Sequence, residues 1–408
     1  MYALPHFDIR KVEFINMEKY SKFPFRADID ECATNETVSQ ATHFYSEIDK
    51  KAARMFGYPA YRTEISPITQ SLLLMHYTAP LSNNCGDINE RGNYALDSKD
   101  AEKRIVGMFA DKFGMGDEYW GYITSGGSES NSCGISLAFR KNPDAVLYYS
   151  QSAHYSVEKY AKLYEHRMIR TLGCDILDIN MLFSEMLYNW RVRSLAANIV
   201  LTHGTTKYGE CDDVDRIVAF LRENEIPYYL HIDAALFGGI PNDQIDSPSL
   251  SDAKARGIDS VCVSLHKYIG FPDVKSVFVS TKRPQGEAIA YIGQHDTTVS
   301  GSRSMPVYAL YNHISERLGE KNKESYIGNV RYFEKLLCDH GIEFYRAKNS
   351  NIFVIETPSE QICRDFQLST FDDTLDMKTV SRTHIIIFPC HKAEDMIALV
   401  QALSGDMT

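Results

Sequence analysis

Between Trp120 and Ser280 the chain alternates short apolar runs with amphipathic stretches of helical length, and that rhythm leaves few folds open. The apolar runs are Trp120 to Thr124, Ala145 to Tyr149, Arg167 to Thr171, Asn198 to Thr202, Tyr228 to Ile232, Ser260 to Leu265 and Ser276 to Ser280. Between several of them lie Asn131 to Arg140, Val157 to Tyr164, Asn180 to Trp190 and Val214 to Glu223, each spaced as a helix with one apolar face. Nearly continuous apolar strands belong in a sheet covered on both sides, and strand, crossover helix, strand makes neighbouring strands parallel. The expectation is an α/β domain built on a mostly parallel sheet.

After about residue 300 the rhythm changes to a long helical region through Leu337, a strand-like Ile352 to Glu356, a helical Glu360 to Gln367, a strand-like Thr383 to Phe388 and a last helix from Lys392. This reads as a smaller α+β domain. The expected organisation is an N-terminal segment (1–60), a large domain (61–300) and a small C-terminal domain (301–408), packed together because no Pro/Gly/Ser-rich linker separates them.

Composition narrows the partners. The 408 residues carry a net charge of -11, which disfavours non-specific attraction to nucleic acid or anionic membranes. No apolar run approaches the roughly 18 residues of a membrane span, and the first residues show neither a basic nor an apolar leader pattern, so a cytoplasmic location is expected. Nine scattered cysteines without a CxxC pair read as reduced, packed thiols, and no His/Cys spacing marks a metal site.

In parallel sheets ligands gather beyond the carboxyl ends of strands, so the residues just past each run carry the chemistry. After the first run comes Thr124-Ser125-Gly126-Gly127-Ser128-Glu129-Ser130-Asn131, a glycine turn opening into a helix, suited to a phosphate or to simple capping. It is neither a P-loop nor GxGxxG, which disfavours a nucleotide-binding oxidoreductase. His154 sits at the next strand-to-helix junction. Asp233 ends the run His231-Ile232-Asp233 and is followed by the small Ala234 and Ala235; Lys267 ends Ser264-Leu265-His266-Lys267. A carboxylate and an amine at the ends of apolar strands either pair with each other or share a ligand.

A shared ligand with a phosphate, an aldehyde and a ring nitrogen is pyridoxal 5'-phosphate. Lys267 would form the Schiff base, Asp233 would hold the ring nitrogen protonated, His154 would stack on one ring face, and Ala235 would leave room on the other. On the same residues the chain resembles the group II pyridoxal-phosphate-dependent amino-acid decarboxylases of fold type I, the aspartate aminotransferase-like α/β fold. It is most similar to short histidine decarboxylases and plant serine decarboxylases. The resemblance runs from about residue 80 to the C-terminus through Asn83-Asn84-Cys85-Gly86-Asp87, the segment 119–131, His154-Tyr155-Ser156-Val157, Gly204-Thr205-Thr206, the segments 231–239 and 264–270, and Asp296 through Arg303.

That resemblance implies a phosphate cradle of Ser125, Gly126 and Gly127, with Ser264 and His266 beside the lysine, and places Thr205 near the ring. Substrate-facing positions fall at Tyr77, Asn84 and Asp87. It also implies a homodimer, in which the Ser300-Gly301-Ser302-Arg303 stretch, Ser302 included, reaches the neighbouring subunit's cofactor. The activity implied is α-decarboxylation of an L-amino acid, histidine first on kinship, with serine, aspartate and other polar amino acids behind it. Alternatives are aminotransfer or another reaction at Cα, with Arg382 as a carboxylate-binding candidate, and an inactive cofactor-binding homologue. His154, Lys267 and Tyr291 are the candidate proton donors. The segment Phe271-Pro272-Asp273-Val274-Lys275-Ser276 departs from the family's Pro-x-Pro-Cys-Gly-Val run.

Overall fold

The computed structural model describes residues 31–52, 54–59, 64–79, 82–165, 169–172, 176–240, 250–318, 323–348, 350–375 and 378–406. It divides into two units, Met1–Lys50 and Lys51–Thr408. Helix α1 (Glu31–Ala52) supplies the described part of the first with its residues 31–50; residues 1–30 of the expected N-terminal segment lie outside the described residues. The second unit opens with α2 (Pro67–Thr78), whose first turn is capped by the Ser66 hydroxyl accepting from the Thr69 amide, and α3 (Lys99–Phe113).

Strands and helices then alternate as β1 (Trp120–Thr124), α4 (Gly127–Lys141), β2 (Val146–Ser150), α5 (Tyr155–Leu163), β3 (Ile169–Leu172), α6 (Ile176–Arg193), β4 (Ala197–Thr202), α7 (Val214–Glu223), β5 (Tyr228–Asp233), the single turn α8 (Ala253–Arg256), β6 (Ser260–Ser264) and β7 (Ser276–Ser280). Each expected strand of this region is present, shifted by no more than two residues at either end; positions 167 and 168 of the third lie outside the described residues. The seven strands form one sheet in the order β1-β7-β6-β5-β4-β2-β3. Only β7 runs against its neighbours β1 and β6; the other pairs are parallel. The carboxyl ends of β1, β2, β4, β5 and β6 therefore open onto one edge.

A hairpin of β8 (Glu287–Ile289) and β9 (Gln294–Asp296) leads to α9 (Val307–Leu318) and α10 (Lys323–Asp339). The expected single helical region is thus two helices. A three-stranded antiparallel sheet, β10-β12-β11, follows from β10 (Ile352–Glu356), α11 (Glu360–Asp365), β11 (Ser369–Leu375) and β12 (Lys378–Ile386), and α12 (Ala393–Asp406) closes the chain. Sequence reading misses β11 because Asp372 and Asp373 interrupt its apolar pattern; the strand is held by its full register with β12.

Three apolar cores stand behind this, the smallest packing Ile135 of α4 and Val157 and Ala161 of α5 on β2 and β4. The largest packs α3, α4 and α7 on the seven-stranded sheet and takes in Met305, Leu310 and Ile314 at α9. The second joins the three-stranded sheet, α10 and α12 with Phe56, Phe237 and Tyr268. The approach of α4 to β5 needs a glycine: a Cβ on Gly134 would stand 2.5 Å from the His231 ring. Gly134→Ala should gain about 1 kcal/mol of helix propensity and lose more to overpacking, for a net destabilisation of about 1–3 kcal/mol measured by denaturant unfolding.

Candidate active site

The strand ends surround a cavity of about 310 Å³ lined by Ser125, Gly126 and Gly127 after β1, His154 after β2, Thr202 and Thr206 around the end of β4, Asp233 and Ala235 after β5, and Ser264, His266 and Lys267 after β6. One residue in the turn before α4 has no alternative. Gly126 has φ of +148°, and a side chain there would press on Val274. A Cβ on Gly127 would meet the Ser264 hydroxyl at 2.9 Å, so the two glycines keep a hollow open at the first turn of α4, where backbone amides point outward. Ser130 pins that turn to the sheet through Thr124 (2.8 Å) and Ser276 (3.0 Å).

Asp233 and Lys267 are not an ion pair; among the described residues no salt bridge joins them. The Asp233 oxygens accept instead from Asn131 Nδ2 (2.8 Å) and the Ala235 amide (3.1 Å), with the Cys262 thiol at 3.6 Å. Burial pushes the Lys267 amine below its usual pKa, with the Asp233 carboxylate partly opposing. The turn carrying Lys267 is stapled by Leu265 and Phe271 amides to the Lys275 and Leu265 carbonyls. His154 caps α5; its Nδ1 contacts the Ser156 hydroxyl (2.8 Å), and burial lowers its pKa, opposed by Asp233. His266 Nδ1 bonds the Lys275 carbonyl at 3.0 Å, and burial lowers its pKa as well.

Five of the expected residues lie outside the lining of this chain's cavity. Thr205 turns its hydroxyl into its own loop, accepting from the Glu210 amide at 3.1 Å, and Thr206 takes the place on the cavity wall. Asn84 is buried with its amide spent on Glu102 (2.7 Å) and the Ser98 amide (2.7 Å). Asp87 is buried and accepts from Trp120 Nε1 (3.1 Å), Thr297 (2.8 Å) and Arg283 (2.9 Å). Both hold the framework together and have no face on the cavity. Ser302 bonds Asn83 at 2.8 Å and is exposed, away from this chain's cavity. Tyr77 is 65% exposed, outside the lining, and burial with the Asp273 carboxylate raises its pKa.

Sequence reasoning passes over Asn131, Thr202, Tyr155, Tyr160 and Val274, all of which line the cavity. Thr202 had a signal of its own as the last residue of an apolar run; its buried hydroxyl finds no partner among the described residues.

Residues 121–296 match the pyridoxal-dependent decarboxylase conserved domain. The chain is 36% identical over 330 residues to a histidine decarboxylase of Pseudomonas entomophila (strain L48), covering 77% of this chain and 78% of that relative. The chain belongs to the pyridoxal-dependent decarboxylase family. A histidine decarboxylase of Vibrio campbellii is 34% identical over 92% of this decarboxylase and 96% of its own length. The fold matches L-methionine decarboxylase from Streptomyces sp. 590 with a TM-score of 0.77 at 18% identity, covering 93% of this chain and 95% of that one. It also matches a glutamate decarboxylase of Lactobacillus brevis with a TM-score of 0.70 at 15% identity, over 88% of each chain.

The decarboxylase is a fold type I enzyme and its cofactor is pyridoxal 5'-phosphate. The residues present fit that group. The glycine hollow at α4 accommodates a phosphate, the unpaired Thr202 hydroxyl leaves a polar group for a ligand to meet, and amine and carboxylate face the same space without neutralising each other. Because Asp87 serves three buried or half-buried donors, Asp87→Ala should lower unfolding free energy by roughly 2–4 kcal/mol in a denaturant titration.

Proposed function

We propose that the decarboxylase acts on L-histidine, breaking the bond between Cα and the carboxyl carbon to release carbon dioxide and histamine. The observation that carries the substrate is the identity, 36% and 34%, to relatives named histidine decarboxylase across most of the chain.

Pyridoxal phosphate, when bound, supplies an aldehyde that captures amines and a ring that accepts the electron pair left on Cα as carbon dioxide departs. This chain's own groups prepare the site for that. Ser125, Gly126, Gly127, Ser264 and His266 would hold the phosphate. Lys267, its proton affinity lowered by burial, offers an amine for covalent attachment that gives up its proton more readily than an exposed lysine. Asp233, with its oxygens fixed by Asn131 and Ala235, would meet the ring nitrogen and keep a proton there. His154 would cover one face of the ring and Ala235 would leave the other clear. Tyr155 and Tyr160 form part of the wall that keeps water from the reacting carbon.

A proton must return to Cα after carbon dioxide leaves. Tyr291 is 83% exposed and outside the cavity lining, which leaves His154 and Lys267 as this chain's donors. Aminotransfer is less well supported: no arginine is found among the described lining residues, and Arg382 sits in β12 opposite Glu356 and Phe371.

The same reading makes the working unit a cytoplasmic homodimer. Tyr155, 68% exposed, and Val274, 55% exposed, both line the cavity, so its mouth carries apolar surface that a second copy would cover. Among the described residues no helix is long and apolar enough to cross a membrane. Sedimentation should give twice the chain mass. With each amino acid supplied singly, mass spectrometry should find histamine from histidine and carbon dioxide in equal amount; imidazole keto acid without carbon dioxide would mean aminotransfer, and a different amine would replace the substrate.

A further inference from the structure

Asn131, in the second turn of α4, joins the two functional groups that would flank the ring, and its own orientation is set from behind, by side chains on the same face of the sheet. Its Nδ2 lies 2.8 Å from Asp233 Oδ2 and 2.9 Å from the Ser156 hydroxyl. Its Oδ1 lies 3.1 Å from His231 Nε2 and 3.2 Å from the Cys262 thiol. The chain continues behind His231, whose Nδ1 is 2.8 Å from the Ser260 hydroxyl, which accepts from the Tyr229 hydroxyl at 3.0 Å. Asn131, His231, Ser260, Cys262 and Tyr229 are all buried.

Proton positions along this chain follow from its two ends. A carboxylate only accepts, so the atom facing Asp233 is the amide nitrogen, and the thiol and imidazole converge on the amide oxygen. At the other end Tyr229 donates to Ser260, Ser260 donates to His231 Nδ1, and His231 gives its Nε2 proton to Asn131. Both ends demand the same amide orientation. The second Asn131 proton then goes to Ser156, which leaves the Ser156 hydroxyl to donate to His154 Nδ1. That nitrogen also accepts from the Ser156 backbone amide at 3.3 Å. A ring nitrogen accepting twice carries no proton, so the His154 proton sits on Nε2.

We propose that Asn131 is a positioning residue, locked by His231, that aims the Asp233 carboxylate into the cavity and, through Ser156, fixes His154 as its Nε2-protonated tautomer. This inference rests on the roles given above to Asp233 and His154. Burial, holding His231 to a pKa of about 4, keeps the lock neutral through the physiological range, as the relay requires.

The test compares full-length wild type, Asn131→Asp and Ser156→Ala, with nitrogen-15 in the histidine rings and His154 assigned from the spectrum of His154→Gln. Asn131→Asp keeps the size and the acceptor toward His231, but beside Asp233 the new carboxyl carries at most one proton, shared between the two; none is left for Ser156, whose hydroxyl turns to donate to the new carboxyl and no longer serves His154. Wild type should show His154 as one tautomer, protonated at Nε2, with or without pyridoxal phosphate. Both variants leave only the longer Ser156 backbone amide facing Nδ1 and should show a mixture of tautomers. Asn131→Asp should also lower kcat roughly 10- to 100-fold with little change in KM, the size of a lost hydrogen bond to a charged group. If Asn131→Asp fails to fold, Ser156→Ala decides the tautomer alone. An unchanged His154 tautomer in every folded variant, or a wild type protonated at Nδ1, overturns the inference. The tautomer is read without cofactor or substrate, so a wild type that does not decarboxylate histidine would overturn the proposed substrate and leave this result standing.

Discussion

Two opposite charges at neighbouring strand ends attract strongly in a buried space, and left alone they would close on each other and fill the cavity between them. Here each is held separately. Asp233 is satisfied by donors on its own side, the Asn131 amide and the Ala235 backbone, while Lys267 rides a turn stapled at Leu265, Lys275 and Phe271. The gap that results is the place for a ligand carrying both an electrophile and a basic ring nitrogen. The rest of the site is arranged around that gap.

Keeping a carboxylate buried has consequences deeper in the sheet. The donor to Asp233 must itself be oriented, which brings His231, Ser260 and Tyr229 into a region that would otherwise be aliphatic. Polar groups there are tolerable because each finds a partner. The imidazole takes up space on the face against which α4 packs, and Gly134 provides it. Sheet, helix and cavity are thus specified by overlapping sets of residues.

Much of this was legible in the sequence. Apolar runs separated by amphipathic stretches place the strands of the large sheet almost residue by residue, because burial on both faces leaves a continuous apolar signal. Lys267 and Asp233 are visible for the opposite reason: a charge at the end of such a run is costly without a purpose. Strand direction at β7 was not legible, since periodicity carries no sense of direction, and β11 was hidden by its acids. At Asn84 and Asp87 a conspicuous polar motif looks alike in sequence whether it meets a substrate or braces Glu102, Trp120 and Arg283, as it does within this chain. Thr205 and Thr206 differ only in which way a turn points them. Asn131 was in plain view within its motif, but its role depends on partners 25 to 131 positions away in the chain.

The central claim is that Lys267, unpaired with Asp233 and depressed in proton affinity, is the amine that holds the cofactor. Borohydride reduction of the protein with pyridoxal phosphate, followed by proteolysis and peptide mass mapping, tests it directly. The account predicts a single pyridoxyl phosphate adduct on Lys267. An adduct on another lysine, or none at stoichiometric cofactor, would contradict it.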